Sequence, residues 1–185
     1  MTAHAGQFRH ALSRFASGVT IVTCYDAAGR PRGFTASSFT SLSLDPPLVL
    51  VCLARSADCH RAFATADRYA VHILRAEQAD LAERFGGRRA DKFDGTPFCV
   101  GEAGTPVLPG ALATLSCAAH AVLPGGDHSI LVGRVVDMAV ADGAPLLHFD
   151  RRLWTLPIDP VGGAMAVAGA GTGAMGWLAG DFAAF

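Results

Sequence analysis

Gly33-Phe34-Thr35-Ala36-Ser37-Ser38-Phe39-Thr40-Ser41-Leu42-Ser43-Leu44-Asp45-Pro46-Pro47 is small, hydroxyl-rich and almost uncharged. As an extended segment it puts Phe34, Ala36 and Ser38 on one side and Thr35, Ser37 and Phe39 on the other, because side chains alternate across a strand. One set then faces a core; the other, mostly hydroxyl, faces out. Small side chains let a flat ligand approach the backbone. Ser and Thr hydroxyls, with main-chain N–H groups, offer donors and acceptors to a polar ring edge or an anion. Asp45-Pro46-Pro47 stops the ladder, since proline has no N–H to donate.

Upstream, residues 7–17 carry Phe8, Leu12 and Phe15 at i, i+4 and i+7, with Gly18 to end a helix. This pattern predicts an amphipathic helix lying on a sheet, its apolar stripe in the core. Val19 to Tyr25 is rich in β-branched residues, and Asp26-Ala27-Ala28-Gly29 supplies a turn before the next strand near Arg32, so the two strands form a hairpin. Downstream, Leu48 to Ala54 is a short, continuous apolar run after the Pro-Pro stop, which predicts a strand buried on both faces.

Ser56 or Asp58 is placed to cap a short helix running to Ala66, and Tyr69 to Leu74 reads as a strand. Glu77 to Phe85 reads as a helix that Gly86-Gly87 terminates, followed by the basic loop Arg88-Arg89-Ala90-Asp91-Lys92-Phe93. Lys92 is the sole lysine among fifteen basic residues. From Pro106 to Ala141 two long strands are joined at Leu123-Pro124-Gly125-Gly126-Asp127, with His120 and His128 flanking the turn, and Leu146 to Leu156 reads as a closing strand. Val161 to Gly180 has no charge, but its seven glycines and six alanines make it weakly hydrophobic and a poor membrane helix. A flexible or partner-packed tail is the expectation there.

The chain has 185 residues, about half of them hydrophobic, and a formal charge of -1. One core of moderate size fits that length. Near-neutral charge gives no electrostatic case for nucleic acid or an anionic membrane surface. Five cysteines without CxxC spacing, and a start with no basic region before an apolar run, predict free thiols in a reducing cytoplasm. Short strands with helices inserted between them predict a mainly β, mostly antiparallel barrel with peripheral helices. No G-x-G-x-x-G opens a helix and no G-x-x-x-x-G-K-[ST] occurs, so any nucleotide must be held without the usual phosphate loops.

Several ordered stretches together resemble the flavin reductase-like proteins: FRHALSRFASGVTIVT from Phe8, FTASSFTSLSLDPPLVLVCL from Phe34, the Lys92-Phe93 pair, Gly110-Ala111-Leu112-Ala113 and Gly126-Asp127-His128. The resemblance runs from about Phe8 to Leu156. It implies a six-stranded antiparallel FMN-binding split β-barrel of Greek-key type over residues 1–158, with 159–185 as a Gly/Ala-rich tail. It also implies a homodimer that moves a hydride from NADH or NADPH to exchangeable FMN or FAD and supplies a separate flavin-dependent monooxygenase.

Carried over by resemblance, Phe34, Thr35, Ala36, Ser37, Ser38 and Ser41 belong to the flavin-facing strand. Cys52, Leu53 and Ala54 lie on the strand beside the ring, and Cys59, Arg88, Lys92 and Phe93 complete the flavin contacts. His128 matches the histidine near the nicotinamide. Where relatives carry tyrosine in a terminal F-x-x-x-Y-x-x-L pattern, this chain has Leu153.

Plainer readings stand beside these. The Ser/Thr face also fits an ordinary solvent face, Lys92 a solvated loop charge and His128 a turn residue. Cys52 and Cys59 read as small buried hydrophobes, and His60, His72, His120 and His148 as structural. A zinc site at His120 and His128 has too few ligands. On the same barrel a non-catalytic flavin-binding or electron-carrier module is the alternative function, and a scaffolding protein docking through its tail a third.

Overall fold

A computed structural model describes residues 2–88 and 91–156. In chain order these form α1 (Thr2–Ser13), β1 (Ser17–Gly18), β2 (Thr20–Tyr25), β3 (Pro31–Ala36), β4 (Thr40–Ser43), β5 (Leu48–Ala54) and α2 (His60–Thr65). There follow β6 (Arg68–Ile73), a 3-10 turn (Ala76–Gln78), α3 (Ala79–Gly86), β7 (Cys99–Val100), β8 (Pro106–Val107), β9 (Ala113–Gly125), β10 (His128–Val140), β11 (Leu146–Phe149) and β12 (Arg152–Thr155). The architecture is mainly β, and every pairing is antiparallel.

The main sheet has seven strands in the order β3-β2-β6-β9-β10-β5-β4, one more than the six expected. The extra strand comes from the Gly33–Pro47 stretch, which breaks at Ser37–Phe39 into β3 and β4 at opposite ends of the sheet. In a flat sheet of seven strands those edges would stand about 29 Å apart, at about 4.8 Å per step. The four Cα steps from Ala36 to Thr40 reach about 14 Å at most. The sheet must therefore curl until its first and last strands are near neighbours. Alternation holds through β3, with Phe34 and Ala36 buried and Thr35 half-buried, and inverts beyond it: Ser38 is exposed while Phe39 packs on the core.

Two apolar clusters lie on either side of β2. Val22 and Cys24 face one that includes Phe34, Val51, Leu53, Phe63 and Leu131, with Phe34 and Phe63 edge to face at 4.9 Å. Val19 and Ile21 face the other, built with Leu74, Phe85, Leu108 and Leu146. The buried ring of His72 ties β6 to β2 and to the segment just after β8: Nδ1 donates to the Ile21 carbonyl at 3.0 Å and Nε2 accepts the Leu108 N–H at 3.1 Å. That arrangement fixes a neutral ring, and burial pushes its pKa down to about 4. At the register shift of the β9–β10 hairpin, Gly133 lies against the Tyr69 ring, in space that any Cβ would contest.

Four expectations are corrected. α1 stops at Ser13, whose hydroxyl donates to the His10 carbonyl, and the chain then turns into β1. Phe8 and Leu12 on α1 and Phe15 just beyond it are exposed, Phe15 by 76%: the chain after the helix is tied to the β11–β12 turn, where Arg14 meets Asp150 and the Phe149 ring, and the stripe is left uncovered. Second, β5 buries Val49, Val51 and Leu53 but only half-buries Leu48, Leu50, Cys52 and Ala54, so one face is open. Third, α2 begins only at His60, with no side-chain cap from Ser56 or Asp58. Fourth, Leu146–Leu156 is a hairpin: Asp150 and Arg151 both take positive φ, a turn without the glycine or asparagine that usually announces it. The 159–185 tail lies outside the described residues.

Candidate functional site

A cleft of about 510 Å³ opens where three segments meet at the curled edge of the sheet. Pro31 to Thr35 of β3 form one wall, and the end of β5 with the turn after it, from Cys52 to Ala54 and on to Cys59, forms the second. The third comes from the end of α3 and the basic loop, through Phe85, Gly86, Gly87, Arg88, Lys92 and Phe93.

Gly33 permits this meeting. A Cβ there would stand 2.6 Å from a ring carbon of Phe85, so only glycine lets α3 approach the β3 backbone. Phe85 is fully buried and packs edge-on against Phe93 at 5.0 Å, which in turn meets Phe98 at 5.1 Å. Lys92 closes the joint: its Nζ donates to the Phe85 carbonyl at 2.6 Å and to the Gly33 carbonyl at 3.3 Å. An ammonium has three hydrogens, so one remains to offer the cleft. Burial lowers the Lys92 pKa, while Cys59 and Asp58 act to raise it. The solvated-charge reading of Lys92 thus gives way to a half-buried, oriented cation.

His128 reaches the rim because the β9–β10 turn delivers it opposite Ala54 of β5, and the Arg55 N–H donates to the Asp127 carbonyl at 2.9 Å to hold the turn there. Its Nδ1 lies 2.8 Å from Asp127 Oδ1, and that contact keeps the Asp127 carboxyl below its usual pKa. Nε2 is left for a ligand. His120 sits farther along β9, at the register shift opposite Val132 and Gly133, so the two histidines do not face each other. No cluster of metal-ligating side chains occurs among the described residues.

The fold thus gathers Phe34, Thr35, Cys52, Leu53, Ala54 and Cys59 with Arg88, Lys92, Phe93 and His128 around one space. Ala36, Ser37, Ser38 and Ser41 stay outside it. Ala36 belongs to the core, and Ser38 is spent on β5, where its Oγ accepts the Cys52 N–H at 3.0 Å. Thr35 lines the cleft, but its hydroxyl donates to the Ala82 carbonyl at 2.6 Å. The polar groups facing a ligand are therefore cations and backbone more than free hydroxyls. Burial raises the Cys59 pKa, so its thiol is a neutral piece of wall.

Arg84 is turned to the Asp94 carbonyl, and Arg89 lies outside the described residues. Sequence reasoning missed Arg32, Gly33 and Asp58. Glycine inside a strand pattern was the available signal for Gly33. A cleft of mixed polar and apolar lining, with an oriented lysine, an arginine and a histidine, fits a flat ring carrying a phosphate.

The residues 12–157 match the model of the flavin reductase like domain. The chain is 45% identical to the actinorhodin polyketide dimerase of Streptomyces coelicolor, over 84% of this chain and 89% of that protein. It is 43% identical to the NADH:riboflavin 5'-phosphate oxidoreductase of Streptomyces pristinaespiralis, over 80% and 86% respectively. Among solved structures, the NADH:FAD oxidoreductase of Streptomyces globisporus C-1027 in complex with NAD and FAD fragments superposes with a TM-score of 0.80 at 36% identity, covering 86% of this chain and 96% of that one. The chain belongs to the flavin reductase-like family.

Proposed function

We propose that this protein is an NAD(P)H-dependent flavin reductase whose cleft takes FMN or FAD, then NADH or NADPH, and whose reduced flavin is passed to a separate monooxygenase. The observation that carries the reading is the oriented Lys92 beneath a cleft of flavin size, in a chain of this family. The bound flavin accepts a hydride from the reduced nicotinamide, chemistry that belongs to the cofactors themselves.

The chain's residues position and stabilise. Lys92 and Arg88 hold the flavin phosphate, Cys52 and Ala54 with the backbone of Phe34 and Leu53 provide a wall for the ring, and backbone N–H groups of β3 face its polar edge. His128, whose Nδ1 donates to Asp127, presents Nε2 to the nicotinamide nucleotide. Because Lys92 is already engaged by two carbonyls, its hold on phosphate is partial, which suits a flavin that must leave.

The curled sheet is the family's split barrel, occupying residues 1–158, with 159–185 as an appended tail. A second copy covers the exposed Phe8 and Leu12 of α1 and Phe15 just beyond it, giving a homodimer.

Purified protein with NADH and excess FMN or FAD, in the absence of oxygen, bleaches the flavin absorbance near about 450 nm over many turnovers. Stoichiometric binding without turnover would leave a flavin carrier instead, and no binding would remove the reading. Light scattering that gives a monomer at micromolar concentration removes the dimer.

A further inference from the structure

A second cleft, of about 350 Å³, adjoins the first, and Arg32 and Asp58 line both. Its lining includes the small side chains of Ala27, Ala28 and Ala62 together with Arg30, Arg32 and Arg61. Asp26 organises this rim. Its Oδ1 accepts the N–H groups of Ala28 and Arg30, and its Oδ2 accepts the Nε–H of Arg30 at 3.0 Å and of Arg32 at 3.1 Å. Those four bonds hold the Asp26 carboxyl down at about 2, so the carboxylate is charged at any physiological pH. Both guanidiniums are gripped through Nε, which leaves their terminal nitrogens for another anion.

The two clefts together present Arg30, Arg32, Arg61, Arg88 and Lys92 against Asp26 and Asp58. This is a concentration of positive charge on a chain whose net charge is -1.

We propose that this second cleft is the subsite for the adenylate half of the flavin, so that the site is built for FAD over FMN. The proposal rests on the flavin reductase reading and goes beyond it. Arg32 lies in β3, the wall against which the ring lies, and at the passage between the clefts. A pyrophosphate running from the first cleft into the second crosses it, and a planar guanidinium pairs with phosphate oxygens in bidentate fashion. The alanine side chains accept the adenine, and Arg61 and Arg30 meet its phosphate and ring. Arg32 is shared by the cleft that takes the flavin and by the second cleft, so the flavin is the nucleotide whose adenosine phosphate arm reaches here.

Flavin fluorescence titration of the wild type and of Arg30→Ala/Arg61→Ala tests this, since both arginines are exposed and neither lines the first cleft. The wild type is expected to bind FAD at least about tenfold tighter than FMN, as two charge-assisted contacts warrant. The double variant should bring the ratio to within about threefold, by loss on FAD while FMN affinity moves less than about twofold. Adenosine 5'-monophosphate should compete with FAD and leave FMN binding untouched.

An unchanged ratio in the variant, or equal losses on both flavins, overturns the proposal. So does a loss confined to the KM of NADH or NADPH, because the subsite then serves the hydride donor. Failure of the wild type to bind either flavin sinks the flavin reductase reading itself, whereas FMN binding and turnover with no FAD preference sinks only this one.

Discussion

β2 is closed on both faces and β5 on one. From Thr20 to Cys24 every residue of β2 is buried, with one cluster under Val22 and Cys24 and another, roofed by α3 and Leu108, over Val19 and Ile21. β5 sends Val49, Val51 and Leu53 into the first cluster, while Cys52 and Ala54 on its other face look toward the cleft. β5, LVLVCLA, is the more apolar of the two and β2, TIVTCY, is the more fully buried, so what differs is whether the chain supplies a cover. A strand face left uncovered in an otherwise packed sheet is where a ligand can replace side chains, and here the cleft occupies that gap.

Ile21→Ala should separate the strands most sharply. It deletes a fully buried side chain and should cost about 3 to 4 kcal/mol in urea unfolding, against about 1 kcal/mol for Leu50→Ala on the half-open face. Equal losses would break the distinction.

The covered side also holds His72, whose pKa is about 4 in the fold and about 6.5 when unfolded. Because the unfolded chain takes up a proton that the folded ring refuses, stability is full above about pH 6.5 and falls as pH drops toward 4, by on the order of 3 kcal/mol in all. His72→Gln should be less stable at pH 8 and show a flatter decline across that window; an unchanged slope would remove His72 as its source.

On the open side, Gly33→Ala should cost about 1 to 3 kcal/mol by driving Phe85 off β3. It should also weaken flavin binding, because the displaced α3 carries Phe85 O away from Lys92. Stability lost with flavin affinity intact would show that the joint and the cleft are independent.

The smallest effect is expected at Leu153. It packs on the second cluster and lies outside the cleft lining, so Leu153→Tyr should change kcat/KM for flavin reduction by less than about twofold.

Much of this was legible in the chain because local chemistry and tertiary placement agree. The β2–β3 and β9–β10 hairpins carry their turn residues between β-branched runs, and Gly86-Gly87 ends α3. Lys92 and His128 were picked out by motif resemblance, and both line the cleft. Contributions of the hydroxyls were not legible, since whether Thr35 or Ser38 faces a ligand or a backbone carbonyl depends on what packs above them. Exposure of Phe8, Leu12 and Phe15 was hidden for the same reason: an apolar stripe states that it is to be covered, without saying by what. Arg32 escaped notice because its role depends on Asp26, six residues away across a turn.

The short crossing from β3 to β4 carries a further consequence. Edge strands expose unpaired N–H and C=O groups that can recruit another chain edge to edge. Here the two edges of the seven-stranded sheet are consecutive in sequence and tethered by Ser37–Phe39. The sheet's two vulnerable rims are thus held toward one another, so this crossing acts as a guard against uncontrolled sheet extension. Lengthening it by a flexible insert would free both rims at once, and aggregation would be expected to rise before the interior packing is lost.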